Sequence, residues 1–109
     1  MTANRIRMAV REFTTHPGPR KRADATDSGE QFLQDFLLPR FREAQKAHAI
    51  LTVDLDGVAG YPTSFLEEAF GGLAREFGPE LVAENLEFVC DDEPYLNDEI
   101  RDYIRDARQ

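Results

Sequence analysis

Two hydroxyl side chains, Thr63 and Ser64, stand at a point in the chain where a phosphate group would be stabilised. They follow an apolar, β-branched run at residues 50–55 and lead into apolar residues with helical spacing at residues 64–77. The first N–H groups of a helix and the helix dipole both favour a negative charge, and open α/β sheets place binding sites at this edge. Ser64 is therefore the hydroxyl best placed to carry or bind a phosphate.

Ser64 and Glu67 also have the spacing of a capping box, in which the serine hydroxyl binds a backbone N–H at the start of the helix. Such a cap contributes about 1 kcal/mol and would by itself account for both residue types. A phosphate on Ser64 would add about −1.5 to −2 charges beside Glu67 and Glu68, which opposes the favourable dipole contact. Capping and phosphorylation are thus two compatible interpretations of Ser64.

Asp54 and Asp56 form a carboxylate pair directly after the apolar run, and Asp91-Asp92 follows a second apolar run. The segment Asp54-Leu55-Asp56-Gly57 resembles the first motif of haloacid-dehalogenase-type phosphatases, in which the two aspartates act as nucleophile and acid/base around magnesium. The alternative function is therefore a small magnesium-dependent phosphatase-like enzyme using Asp54 and Asp56. That chemistry needs a later cation on the phosphoryl group, but both lysines precede the motif. We therefore expect no catalytic residues and expect the aspartates to shape the turn.

Composition narrows the possible chemistry further. With 109 residues the chain has room for a single domain. Cys90 is the one cysteine and cannot form an internal disulfide, and His16 lies too far from His48 to give metal-ligand spacing. We expect a domain without cofactor or metal, in a reducing compartment.

Charge is distributed unevenly along the chain. Residues 1–49 carry nine basic and six acidic side chains, whereas residues 50–109 carry four and fifteen. An acidic half repels nucleic acid and favours a basic protein partner, although acidic surfaces also serve solubility. The dense basic group Arg20-Lys21-Arg22 lacks interleaved aromatic residues, so it is expected in a solvated loop.

No apolar stretch suits a signal peptide or a membrane span, so we expect a cytoplasmic protein without nucleic-acid or membrane partners.

Hydrophobic periodicity predicts one layered α/β domain, because strands alternate with helices. Ser28 and Gln31 have capping-box spacing and predict a helix start near residue 28. Pro39 is expected to end or kink this helix, or to begin its continuation to about Ala47. The predicted elements are an edge strand near 5–13, a flexible loop or hairpin turn at 14–27, a helix near 29–47, a central strand near 50–55, a helix near 64–77, a short helix from Pro79 to Glu84, a strand near 86–90 and a helix near 94–107.

Two segments of the chain resemble the STAS-like domains of unknown function, which are related to the STAS domains of bacterial anti-sigma factor antagonists. The first is Ser28-Gly29-Glu30-Gln31-Phe32, and the second runs from Leu51 to Gly78 around Ser64-Phe65-Leu66-Glu67-Glu68-Ala69-Phe70-Gly71-Gly72-Leu73. The resemblance covers most of the chain after residue 28. It implies a single STAS-like domain over residues 1–109, with a mixed β-sheet flanked by helices, acting as a non-catalytic regulatory domain that binds another protein.

The resemblance also implies a regulated residue. In the antagonists, the second serine of an Asp-Ser-Ser-Gly turn is phosphorylated by a partner kinase with a histidine-kinase-like ATPase fold. Thr63 and Ser64 align with the two serines, so Ser64 is the implied phosphorylation site. Pro62 stands where the antagonists have Asp and Phe65 where they have Gly, so the partner surface is expected to differ. The implied partner-binding residues are Tyr61, Pro62, Thr63, Ser64, Glu67 and Glu68.

Overall fold

A sheet of three parallel strands lies at the centre of the computed structural model, which describes residues 4–107. The strands β1 (Asn4–Ala9), β2 (Ala49–Asp54) and β3 (Leu86–Val89) are neighbours in that order. The apolar run near residues 50–55 therefore forms the central strand and the alternating N-terminal segment forms an edge strand, both as predicted. The edge strand is shorter than predicted because the chain enters a 3-10 turn at Val10–Glu12.

The α/β class is confirmed, but both strand pairings are parallel, so the sheet is not mixed as expected. Each connection between neighbouring strands contains helices, and such crossovers return the chain to the same end of the sheet. Residues 14–27 form no strand, so this segment is a loop and not a hairpin turn. Instead the loop closes on itself, since the Gly18 N–H donates to the Asp27 carbonyl at 2.8 Å.

Four helices form within residues 4–107, close to the predicted positions. We label them α1 (29–46), α2 (63–77), α3 (Pro79–Glu84) and α4 (Leu96–Asp106). The first two each contain a wide, π-helical turn in the middle. Helix α1 consists of Gly29–Phe32, Leu33–Leu37 and Leu38–Lys46, and α2 of Thr63–Leu66, Glu67–Gly71 and Gly72–Phe77.

Helix α1 passes through Pro39 without ending there, and its continuation stops at Lys46, close to the predicted residue 47. The wide turn directly before the proline accounts for this. There the Leu38 N–H donates to the carbonyl of Leu33, five residues earlier instead of four. Proline has no N–H and crowds the preceding turn, and a widened turn accommodates both effects.

Both long helices cover the same face of the sheet. The Phe32 ring of α1 lies 5.6 Å from Phe65 and 6.3 Å from Phe70 of α2, and Phe70 packs edge-on against Phe88 of β3 at 5.4 Å. Glycine allows the helices to approach closely, because a Cβ on Gly29 would lie 2.7 Å from the Phe65 carbonyl oxygen. The core therefore lies between one face of the sheet and the α1–α2 pair.

Polar side chains occupy the opposite face. Arg7, Thr52 and Glu87 are aligned across the three strands in register, on the side away from Phe88. The Arg7 side chain is 62% exposed and that of Glu87 is 42% exposed. This face is therefore not covered by any helix that the structure describes.

Candidate functional site

The turn between β2 and α2 is anchored to the core by Tyr61. Its hydroxyl donates to the Leu55 carbonyl at 2.7 Å, and its ring centroid lies 6.1 Å from that of Phe65. Burial raises the pKa of the Tyr61 hydroxyl, and the nearby negative charges of Asp54 and Asp56 raise it further. The neutral hydroxyl thus fixes the loop in front of the helix, while the next two residues, Pro62 and Thr63, are exposed.

Ser64 lies inside the first turn of α2 and does not cap it. The helix begins at Thr63, the capping position is occupied by Pro62, and no side chain caps this end. The N–H groups of Phe65 and Leu66 both donate to the Pro62 carbonyl, at 3.1 and 3.2 Å. The capping-box interpretation of Ser64 is therefore wrong, because a residue with helical backbone angles cannot fold its hydroxyl back onto the first N–H groups. Ser64 is half-buried beside the exposed turn.

Glu67 is held by two arginines. Its carboxylate accepts hydrogen bonds from Arg75 at 2.8 Å and from Arg20 of the 14–27 loop. The hydrogen bond from Arg75 contributes most to lowering the pKa of Glu67, and together with Arg20 it outweighs the opposing effect of burial. Glu67 is therefore ionised and paired, and it does not reach back to the start of the helix.

Glu68 binds the same loop. One of its carboxylate oxygens lies 3.3 Å from the Arg20 guanidinium, and the other lies 3.3 Å from the Lys21 ammonium. Residues three and four positions apart share one helix face, so both glutamates lie on the Ser64 side of α2. Three cationic groups, from Arg20, Lys21 and Arg75, thus compensate two carboxylates next to Ser64.

The basic segment Arg20-Lys21-Arg22 lies in an exposed loop, as predicted, but it also joins α1 to α2, which the sequence did not indicate. The Arg22 guanidinium lies 2.7 Å from Asp35 of α1. The backbone is also fixed, because the Pro19 and Arg20 carbonyls accept the N–H groups of Gly29 and Glu30 at the start of α1. The partners Glu67 and Glu68 are 47 and 48 residues away from Arg20 in sequence, and no local pattern predicts such a contact.

Asp54 is buried at the end of β2 and forms ion pairs with two arginines. Its carboxylate lies 2.9 Å from Arg7 and 3.1 Å from Arg11, and it accepts the Asp56 N–H at 3.0 Å. Burial acts to raise the pKa of Asp54, but the Asp56 N–H and the two guanidinium groups outweigh it and lower the pKa. The carboxylate is thus committed to contacts within the chain.

Asp56 joins the turn after β2 to the turn after β3. Its carboxylate accepts the N–H groups of Asp91 at 3.2 Å and Asp92 at 2.9 Å, and the Asp92 carboxylate accepts the Gly57 N–H at 3.0 Å. Gly57 has a φ of 82°, which suits glycine at this point of the turn. The predicted turn-shaping role of the aspartates is confirmed by these contacts. Within residues 4–107, no group of three His, Cys, Asp or Glu side chains is arranged to hold a metal ion.

The six predicted partner-binding residues thus lie in one continuous region at the start of α2, with different environments. Pro62 and Thr63 are exposed, Tyr61 is an anchor, Ser64 is half-buried, and the two glutamates are paired. Sequence reasoning missed Arg20, Lys21 and Arg75 as members of this region.

Comparison with protein-family models gives a match over most of the chain. A family model described as a STAS-like domain of unknown function matches residues 28–96, which include α1, β2, the Ser64 turn, α2 and β3. Searches of curated proteins and of solved structures found no match. In the described part of the chain, no helix has the length and apolar character needed to cross a membrane.

Proposed function

The chain belongs to the STAS-like domain family of unknown function, and on this premise we propose that it is a non-catalytic regulatory domain switched at Ser64. The family suggests a regulatory or interaction role. In this proposal, a partner protein binds the turn formed by Tyr61, Pro62, Thr63, Ser64, Glu67 and Glu68. A partner kinase with a histidine-kinase-like ATPase fold phosphorylates Ser64 and thereby changes the charge of this surface.

The charge balance next to Ser64 is the observation that carries the proposal. A phosphate in the first turn of α2 gains from the helix dipole, but it would be repelled by two bare glutamates. Glu67 and Glu68 are instead paired with Arg20, Lys21 and Arg75. The two glutamates are therefore compensated, which removes the repulsion that a phosphate on Ser64 would otherwise meet from them.

Accessibility gives further support. Pro62 and Thr63 are exposed directly before Ser64, and Tyr61 fixes the turn without covering it. Because α2 starts at Thr63, the Ser64 hydroxyl does not cap the helix. A kinase that approaches the turn meets a hydroxyl that does not cap the helix, so its modification changes the surface without breaking a cap.

The test is phosphorylation of the purified protein by a lysate of the native host supplied with ATP, followed by mass spectrometry. Wild type is compared with Ser64→Ala and with Thr63→Val, which removes the neighbouring hydroxyl. We expect phosphate on Ser64 in wild type and in Thr63→Val, and a partner that binds wild type but not Ser64→Asp. Unmodified Ser64, together with identical partners for wild type and Ser64→Asp, would overturn the proposal.

A further inference from the structure

Two adjacent glycines, Gly71 and Gly72, lie in the middle of α2. Glycine weakens a helix relative to alanine, because it loses more backbone freedom on folding. Neither residue needs glycine for its conformation, since φ is −64° at Gly71 and −62° at Gly72, both helical values. The reason for each glycine therefore lies in what occupies the space of the absent Cβ.

The two glycines make room for different neighbours. A Cβ on Gly72 would lie 2.6 Å from Cδ2 of Leu33, so this glycine admits a core side chain of α1. A Cβ on Gly71 would lie 2.6 Å from Oε2 of Glu67 and 3.2 Å from Nη1 of Arg75. Cβ atoms are essentially never found within 3.0 Å of another heavy atom of this kind. An alanine at position 71 and the present ion pair therefore exclude each other.

The contact between Glu67 and Arg75 runs along the helix and passes over Gly71. The two residues are eight positions apart, which is about 12 Å at the rise of an α-helix. Gly71 lies midway, four residues from each, and residues four apart share a helix face. The wide turn at Glu67–Gly71 holds more residues than an α-helical turn, which brings Gly71 closer into line with Glu67. Arg75 thus extends over Gly71 to reach the carboxylate at 2.8 Å, and Gly71 is buried.

We propose that Gly71 is a positioning residue of the Ser64 turn, because its missing side chain lets Arg75 reach Glu67. The inference rests on the proposed function, in which compensation of Glu67 removes repulsion that a phosphate on Ser64 would meet. Glu67 follows Ser64 by three residues, on the same face of α2. A methyl group at position 71 displaces the carboxylate or the guanidinium. Both are the ends of flexible side chains, so the helix itself need not move.

The other polar groups around Glu67 do not replace Arg75. Arg20 binds the Glu67 carboxylate, but it also contacts Glu68 at 3.3 Å and is shared between the two. The Tyr103 hydroxyl of α4, whose pKa is raised first by burial and also by the charge of Glu67, carries no positive charge. The hydrogen bond from Arg75 is the largest cause of the lowered pKa of Glu67. Loss of this contact therefore raises the pKa of Glu67 and leaves its charge less compensated.

NMR titration of the Glu67 carboxyl carbon, assigned with Glu67→Gln, tests the geometry. Gly71→Ala should raise the pKa of Glu67, and Arg75→Gln should raise it at least as much, because both remove the same contact. In the Arg75→Gln background, Gly71→Ala should add no further rise, since the two changes act through one contact. Gly72→Ala is the matched control. It adds the same methyl group one residue further along, against Leu33, and should leave the pKa of Glu67 unchanged.

The link to Ser64 is tested on protein in which phosphoserine is incorporated at Ser64 during translation. Phosphorus NMR then follows the second pKa of the phosphate, which is ordinarily about 6. A less compensated Glu67 disfavours the dianion, so Gly71→Ala should raise the pKa of the phosphate, whereas Gly72→Ala should not. Circular dichroism verifies that each variant is folded.

An unchanged pKa of Glu67 in Gly71→Ala overturns the inference, because the methyl group would then coexist with the ion pair. An equal rise in Gly72→Ala also overturns it, since the effect would not be specific to the space beside Glu67. So does a phosphate pKa that stays constant while that of Glu67 rises, because the pair would then not act on Ser64. Neither measurement needs a kinase, so a Ser64 that the host lysate leaves unmodified counts against the proposed function and not against these results.

Discussion

The carboxylate of Glu67 lies 2.8 Å from the guanidinium of Arg75, eight residues further along the same helix. This contact, together with the one from Arg20, draws the glutamate away from the helix start. It also neutralises a charge that would oppose a phosphate on Ser64. The ion-paired Glu67 therefore takes no part in a capping box with Ser64, and its charge is compensated within the chain.

The two serines with capping-box spacing should respond differently to removal of the hydroxyl. Ser28 is fully buried, and its hydroxyl accepts the Gln31 N–H at 3.0 Å, so Ser28→Ala should lower the free energy of unfolding by about 1 kcal/mol. Ser64→Ala should change it by less than about 0.5 kcal/mol, because Ser64 caps nothing. Urea denaturation of both variants measures the difference, and equal losses would contradict this assignment.

The contrast between these serines shows where sequence patterns suffice. The Ser28 cap and its helix start are local, so four consecutive residues encode them, and the structure confirms them. The Ser64 pattern is equally good locally, but Pro62 starts the helix earlier and Arg20 competes for Glu67 from 47 residues away. A sequence pattern in one segment gives no information about a residue elsewhere in the chain that competes for the same side chain.

The same distinction holds for the fold. Within residues 4–107, apolar periodicity predicted the three strands and helices α1, α2 and α4, because each depends on its own residues. The all-parallel sheet and its uncovered face depend on the order and direction in which the crossovers are arranged. The passage of α1 through Pro39 depends on a widened turn that hydrophobic spacing does not reveal.

The close approach of α1 and α2 predicts a strong effect of one added methyl group. A Cβ on Gly29 would lie 2.7 Å from the backbone oxygen of Phe65, which cannot move without shifting α2. We expect Gly29→Ala to lower the free energy of unfolding by about 1–3 kcal/mol, although alanine is the better helix former. Gly60→Ala is the control, since nothing lies within 4 Å of its Cβ position. Similar unfolding midpoints for the two variants would rule out this close contact.

Asp54 separates a structural role from the alternative phosphatase chemistry. Asp54→Asn retains the shape and an acceptor for the Asp56 N–H but removes the charge that pairs with Arg7 and Arg11. We expect a loss of about 1–3 kcal/mol in unfolding free energy, and no magnesium-dependent hydrolysis of a generic phosphate ester by wild type or variant. Wild-type hydrolysis that the variant loses at unchanged stability would instead favour the nucleophile role.

Glu67 should make the protein sensitive to acid. Hydrogen bonds from Arg75 and Arg20 hold its pKa below the ordinary value in the folded state, so folding favours the ionised carboxylate. Its contribution is therefore complete above the unfolded pKa of about 4.3 and is lost as the pH falls through the lower folded pKa. Glu67→Gln should lower the free energy of unfolding by up to about 1 kcal/mol at neutral pH, and the stability of this variant should decline less steeply below about pH 5.

Glu43→Gln, in an exposed pair at 3.4 Å, controls for the lost negative charge. Parallel stability curves for wild type and Glu67→Gln between about pH 3 and 7 would contradict this linkage.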